Sequence, residues 1–250
     1  SVTIGTSGVV FAQGDRHIEH PTGLLHSFCH SVPNQWYLMG VMLSAGGSFQ
    51  WLRDMYSSVG SMDYNKMTSL AEKSPIGCEG LIFLPYLTGE RVPHDDPRAR
   101  GGWVGLTQRH NAEHLTRSVM EGISYGLCDS LMLITELGLP IERIYASGGA
   151  VRSRLWLQML ADIFNKEIVT TSITEGAAYG AAILAGVGTK QYTSFLEATD
   201  ELVKIADTFE PAASSASVYA EHYEQYRLLY PALKESFSNL SELANKYSGA

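Results

Sequence analysis

Up to Leu43 the apolar residues fall in short β-compatible runs, and from Gly46 through Tyr56 they recur at helical spacing. Val2 to Ile4 and Val9 to Ala12 flank Gly5-Thr6-Ser7-Gly8, a hairpin signal with glycine at both shoulders of the turn. Leu24 to Val32 and Trp36 to Leu43, separated by Pro33 and Asn34, predict a second hairpin. Phe49, Leu52, Met55 and Tyr56 mark a helix from Gly46 to Tyr56, Asp63 caps another to about Lys73, and Leu81 to Leu87 reads as a strand. Thr88 to Gly102, with its prolines, glycines and arginines, predicts an ordered but irregular loop.

Asn111 caps what the pattern predicts to be the longest helix, with Leu115, Val119, Ile123, Leu127, Leu131 and Ile134 as its core stripe before Gly138 and Pro140. A strand at Arg143 to Ala146, the turn Ser147 to Ala150, a helix from about Ser153 to Asn165, a strand at Glu167 to Thr171 and a small-residue helix from Glu175 to Gly186 follow. Ser194 and Glu197 read as a capping box for a helix to about Ile205, and from Ser217 an amphipathic helix is expected, broken at Pro231. Hairpins followed by alternating strands and helices predict an α/β domain, a mixed sheet with helices on its faces. The strand at the very start predicts a segment upstream of Ser1.

Composition narrows the chemistry. The 250 residues are 45% hydrophobic, enough for a large buried core, and 18 basic against 26 acidic residues leave a net charge of -8. No broad basic face is available for a nucleic-acid backbone, so nucleic acid is not an expected partner. A single phosphate chain is a different matter, because backbone N–H groups and a bound cation can hold it. Cys29, Cys78 and Cys128 form no CxxC pair and are odd in number, which predicts buried thiols in a reducing compartment. With no apolar run near the ~20 residues that span a bilayer and no signal peptide, the expectation is a cytoplasmic protein without a membrane partner.

Three glycine-centred turns are candidate sites. Gly5, Thr6, Ser7 and Gly8 offer successive N–H groups and two hydroxyls to phosphate oxygens, or form an ordinary hairpin turn. Gly46 and Gly47 open a helix whose positive end attracts anions, with Gln50 one turn in, or simply start it. Gly148 and Gly149, after a strand and before Ser153 and a helix, put bare backbone beside a flat ligand such as adenine or ribose; a plain strand-to-helix turn fits them nearly as well.

The stretch Gly101-Gly102-Trp103-Val104-Gly105-Leu106, then seven residues, then His114 to Glu121, resembles the second signature of the FGGY carbohydrate kinases at every constrained position. GTSG at residues 5 to 8, LPYLTGERVPHDDPRARG at 84 to 101 and SGGAVRSRLWLQMLAD at 147 to 162 resemble the same family, and residues 26 to 54 resemble its xylulokinase branch. The resemblance reaches from Ser1 to about Pro211. It implies the C-terminal, nucleotide-binding domain of a two-domain kinase with an actin-like ATPase (ribonuclease H-like) fold. ATP and Mg²⁺ are the implied cofactors, and the sugar, D-xylulose on this branch, is bound through an N-terminal domain absent from this chain. Gly5, Thr6, Ser7 and Gly8 would cradle the β- and γ-phosphates, Gly46 and Gln50 would face phosphate and ribose, and Gly149 and Ser153 would lie at the nucleoside. The family's base is an aspartate shortly upstream of GTSG, before Ser1, so no catalytic residue is named. A non-catalytic actin-like nucleotide sensor or assembly domain is the alternative, and a homodimer is left open.

Glu90 and Arg91 are placed at the cleft, with Arg91 able to pair with phosphate oxygens; a loop-stabilising ion pair is the alternative. Asp95 and Asp96 lie in a loop that could border the cleft, and read first as solvated carboxylates beside Pro97 and Arg98. His26 and His30 share one face of a strand with Cys29 on the other, and without a second ligand pair they read as structural rather than metal-binding. Tyr219, Tyr223, Tyr226 and Tyr230 read as helix packing, with a partner surface as the alternative.

Overall fold

The structure, a computed structural model, describes residues 1–173 and 176–247. Its elements in chain order are β1 (Val2–Ile4), β2 (Gly8–Gly14), β3 (His26–Cys29), β4 (Trp36–Met42), α1 (Gly46–Ser57), α2 (Tyr64–Ala71), β5 (Ile82–Leu84), β6 (Gly102–Val104), α3 (Ala112–Glu136), β7 (Arg143–Gly148), α4 (Arg154–Phe164), β8 (Glu167–Thr171), α5 (Gly176–Gly188), α6 (Phe195–Leu202), β9 (Ile205–Phe209) and α7 (Ala213–Tyr247). The main sheet has the order β3-β4-β2-β1-β7-β8-β9. Both predicted hairpins form, β1 with β2 and β3 with β4, while β1–β7 and β7–β8 are parallel and β9 returns antiparallel to β8. The sheet is therefore mixed, as the sequence pattern implies.

Local chemistry sets the helix starts. Asp63 accepts from the Lys66 N–H (2.9 Å), Asn111 caps α3 with His114 closing the box, and the Ser153 hydroxyl accepts from the Trp156 N–H (3.2 Å). From Thr116 to Leu131 α3 is buried on every side, so the expected stripe is in fact a core helix. Inside it Arg117 Nε pairs with Glu121 Oε1 at 2.8 Å and Arg117 Nη2 donates to the Tyr219 hydroxyl at 2.8 Å. Tyr219, Tyr226 and Tyr230 of α7 are buried, and Tyr223 donates to Asp129 at 2.7 Å, which bears out the packing reading of the four tyrosines.

Several expectations need correction. The longest helix is α7, not α3, and it runs unbroken through Pro231. The strand expected at Leu81 to Leu87 is only Ile82–Leu84, paired with β6 in a separate small sheet. The helix expected to Ile205 ends at Leu202, and Ile205 begins β9. The capping box at Ser194 is half formed: Ser194 accepts from the Glu197 N–H, but the Glu197 carboxylate turns to Thr193. Cys29 is exposed, whereas Cys78 and Cys128 are buried. The first residue expected in the small-residue helix, Glu175, lies outside the described residues. Among the described residues no helix is long and apolar enough to cross a membrane.

Candidate nucleotide site

Strands β1 and β7 run side by side in the same direction, so the turns that follow them emerge together at one edge of the sheet, where open α/β sheets form their binding crevices. A cavity of about 420 Å³ opens there. Gly5, Thr6, Gly46, Gln50, Gly149 and Ser153 line it, so residues far apart in sequence meet at one place. Ser7, Gly8 and Gly148, the other three candidates, are not on its wall.

The glycines divide by what surrounds them. A Cβ on Gly148 would stand 2.4 Å from the Ile4 carbonyl oxygen, at a φ of +84°, and one on Gly8 would meet Leu127 at 2.7 Å and Ala45 at 2.9 Å. These two are glycine because backbone and core press against them. A Cβ on Gly149 would meet only the Ile4 oxygen, at 3.8 Å, so the fold leaves that position open toward the cavity.

Gly46 is close-packed as well. Its N–H donates to Gly5 O (2.8 Å), and the N–H groups of Ala45 and Gly47 donate to Thr6 O (3.0 and 2.9 Å). The α1 amides expected to face an anion are therefore occupied in holding the turn. Among the described residues the Thr6 and Ser7 N–H groups have no protein acceptor, which leaves the turn itself as the source of open donors.

The remaining wall was not anticipated. Asp63, Tyr64, Asn65 and Thr68 of α2 line the cavity, as do Phe49, Arg152 and Trp156. The Phe49 ring meets Trp156 edge-on (5.1 Å) and stacks on Tyr64 (5.8 Å), and Arg53 covers Tyr64 (4.7 Å). Trp156 Nε1 is anchored on the Ser124 hydroxyl at 3.1 Å. Periodicity marks Phe49 and Trp156 as core; the signal missed is that each sits within three residues of a candidate ligand-facing position, Gln50 and Ser153.

Glu90 and Arg91 do not reach this wall. Glu90 is 1% exposed, and its Oε1 accepts from the backbone N–H groups of Leu43 (3.0 Å) and Arg91 (2.8 Å), so neither the cleft position nor the ion pair with Arg91 is seen. Burial pushes its carboxyl up to about 7, the two backbone bonds opposing the shift and the Asp129 charge adding to it. Asp96, expected in solvent, is buried and accepts from the Arg98 N–H and the Tyr230 hydroxyl, both at 2.8 Å. Asp95 is exposed, as expected. No group of His, Cys, Asp or Glu among the described residues could hold a metal ion by itself.

The sequence profile of the FGGY family of carbohydrate kinases, C-terminal domain, matches residues 1–189. A xylulose kinase of Staphylococcus epidermidis is 37% identical over 243 residues, 97% of this chain and 49% of its own length. The ligand-bound xylulose kinase of Lactobacillus acidophilus superposes with a TM-score of 0.88 at 28% identity, covering 96% of this chain and 48% of that one. A gluconate kinase of the same organism gives 0.87 at 27%, again over 96% and 48%. The chain spans about half the length of the curated relatives it matches. With the mixed sheet, the three turns at one crevice and these matches taken together, the chain belongs to the FGGY family of carbohydrate kinases.

Proposed function

We propose that this chain is the nucleotide-holding half of an ATP-dependent kinase that phosphorylates a hydroxyl of a small sugar, with D-xylulose, giving xylulose 5-phosphate, as the first substrate to test. The observation that carries this reading is the convergence of the Gly5, Gly46 and Gly149 turns on one cavity with bare backbone on one side and aromatic rings on the other. The Thr6 and Ser7 N–H groups and hydroxyls are the donors for β- and γ-phosphate oxygens, and Gly46 and Gln50 stand where phosphate meets ribose. Gly149 and Ser153 flank the nucleoside, against the apolar wall of Phe49 and Trp156. Phosphoryl transfer depends chiefly on holding the phosphate chain in line and stabilising its charge, which a turn fixed by backbone bonds does without rearrangement.

Mg²⁺, when bound, would supply charge neutralisation to the phosphate chain. The described residues offer no cluster of His, Cys, Asp or Glu for the ion, and the Thr6 and Ser7 hydroxyls are the oxygen groups that this turn would offer beside the phosphate chain. In this reading the work of the chain is to orient the nucleotide. A cytoplasmic location, where ATP is supplied, is the compartment this reading expects.

Calorimetric titration of Mg-ADP into the chain, beside Gly149→Val, tests the reading. The variant is expected to keep its circular dichroism and lose at least about tenfold in affinity, since a branched side chain enters space the fold leaves open. Equal affinity in the folded variant would sink the assignment. If the chain joined to its sugar-binding half binds ADP but produces none from ATP on addition of D-xylulose or gluconate, the non-catalytic sensor replaces the kinase.

A further inference from the structure

Glu90 lies off the cavity, yet its bonds lead to it. Its loop runs along the end of β4: the Val92 N–H donates to Val41 O (3.3 Å), and Glu90 exchanges backbone bonds with Asp96 in both directions (3.0 and 2.8 Å). Its Oε1 holds the N–H of Leu43, the first residue of the bend that leads through Ala45 into Gly46 and Gly47 of α1. The amides of Ala45, Gly46 and Gly47 in turn hold the carbonyls of Gly5 and Thr6. A short chain of hydrogen bonds and backbone therefore connects Glu90 to the turn.

The choice of a carboxylic acid here calls for explanation. An amide oxygen would accept the same two N–H groups without the cost of burying an ionisable group. Glu90 Oε2 is buried and has no hydrogen-bond partner. The charge that acts on it is that of Asp129 from α3, itself partly offset by Arg227, while Glu90 in turn acts on the hydroxyls of Tyr86 and of Tyr226 from α7. The neighbouring Arg91 is exposed. Once ionised, Oε2 has Asp129 as its charged neighbour and gains by drawing water inward, which loosens the loop from β4.

We propose that Glu90 is a positioning residue for the nucleotide cavity, fixing the Leu43–Gly47 segment and through it the Gly5–Ser7 turn while protonated, and relaxing that hold when it ionises. Its effect on nucleotide binding rests on the reading given above; its effect on the backbone does not.

The experiment measures amide hydrogen exchange at Leu43, Gly46 and Gly47, and Mg-ADP affinity, for the chain, Glu90→Gln and Glu90→Ala at pH 6 and pH 8. Ratios between chain and variant at one pH cancel the nucleotide's own ionisation and the intrinsic exchange rate. Glu90→Gln, which keeps the acceptor, is expected to match the chain within about twofold at pH 6 and to exchange several-fold more slowly at pH 8. Glu90→Ala is expected to speed exchange at Gly46 and Gly47 and weaken ADP binding, each about tenfold. A constant ratio of chain to Glu90→Gln across the pH range overturns the proposal, even if Glu90→Ala does not fold. Absence of ADP binding by every form, with the exchange pattern as expected, retires the nucleotide reading and leaves the positioning role standing.

Discussion

The cavity rim and the charged interior behind it are built on opposite plans. At the rim, Gly46 against Gly5 and Gly148 against Ile4 bring main chain against main chain, and hydrogen bonds between amides and carbonyls fix the shape. Behind it, Arg117, Glu121, Glu90 and Asp129 are buried with tyrosine hydroxyls or backbone groups as partners. The rim is therefore vulnerable to added atoms and the interior to removed ones.

The largest effect is expected from removing a partner. Arg117→Met leaves the Glu121 carboxylate buried with the Gly77 N–H (3.1 Å) and the Cys78 thiol (3.4 Å), and should cost about 3–5 kcal/mol in denaturant unfolding. Arg117→Met combined with Glu121→Met should recover most of that loss; if the double variant is no better than the single one, packing rather than charge governs the site.

At the rim, two adjacent glycines should separate. Gly148→Ala pushes a methyl group into Ile4 at a left-handed φ and should cost about 2–3 kcal/mol, whereas Gly149→Ala should change stability by under about 0.5 kcal/mol while weakening Mg-ADP binding. Equal destabilisation by the two would erase the distinction between packing and ligand-facing glycine.

A further effect is graded with pH. Burial pushes the carboxyls of Glu90 and Asp129 each up to about 7, from ordinary values of 4.5 and 3.8. Between those limits the folded chain holds protons that the unfolded chain has released. Their contribution is therefore complete below about pH 4 and is lost as pH rises through 7. Denaturant unfolding should show about 2 kcal/mol per group less stability at pH 8 than at pH 5, and Glu90→Gln should remove its share of that slope.

The same contrast governs how much was legible beforehand. Backbone-built features announce themselves as glycine clusters, and all three turns fell where the sequence puts them, as did both hairpins and β8. The α2 wall was invisible, because nothing in Asp63, Tyr64, Asn65 or Thr68 departs from an ordinary capped helix; only the tertiary approach of α2 makes them line a cavity. Asp96 looked solvated because its partner, Tyr230, is 134 residues away in sequence. Strand β9 is missed, with only Ile205 read as the end of a helix, because five residues paired at the sheet edge lack a strong pattern of their own. Pro231 is a helix breaker by local chemistry, yet Tyr230 and Phe237 on either side of it are buried and α7 continues through it. The signature that identifies the family most strongly lies off the cavity wall: Trp103 packs on Phe83 (4.9 Å) and donates to Ser118 (3.0 Å), and Arg117 with Glu121 completes the buried pair. In this chain it records how the domain is assembled more than what it holds.

The parallel pairing of β1 with β7, Val2 opposite Ala146, has a consequence for biosynthesis. The Gly5–Gly8 turn is synthesised about 140 residues before its neighbour in the sheet, so the first hairpin waits at a free strand edge for several seconds of translation. The cavity is then a late product of folding: variants that slow closure of this one long-range pair should lower the yield of soluble chain without altering the affinity of the molecules that fold.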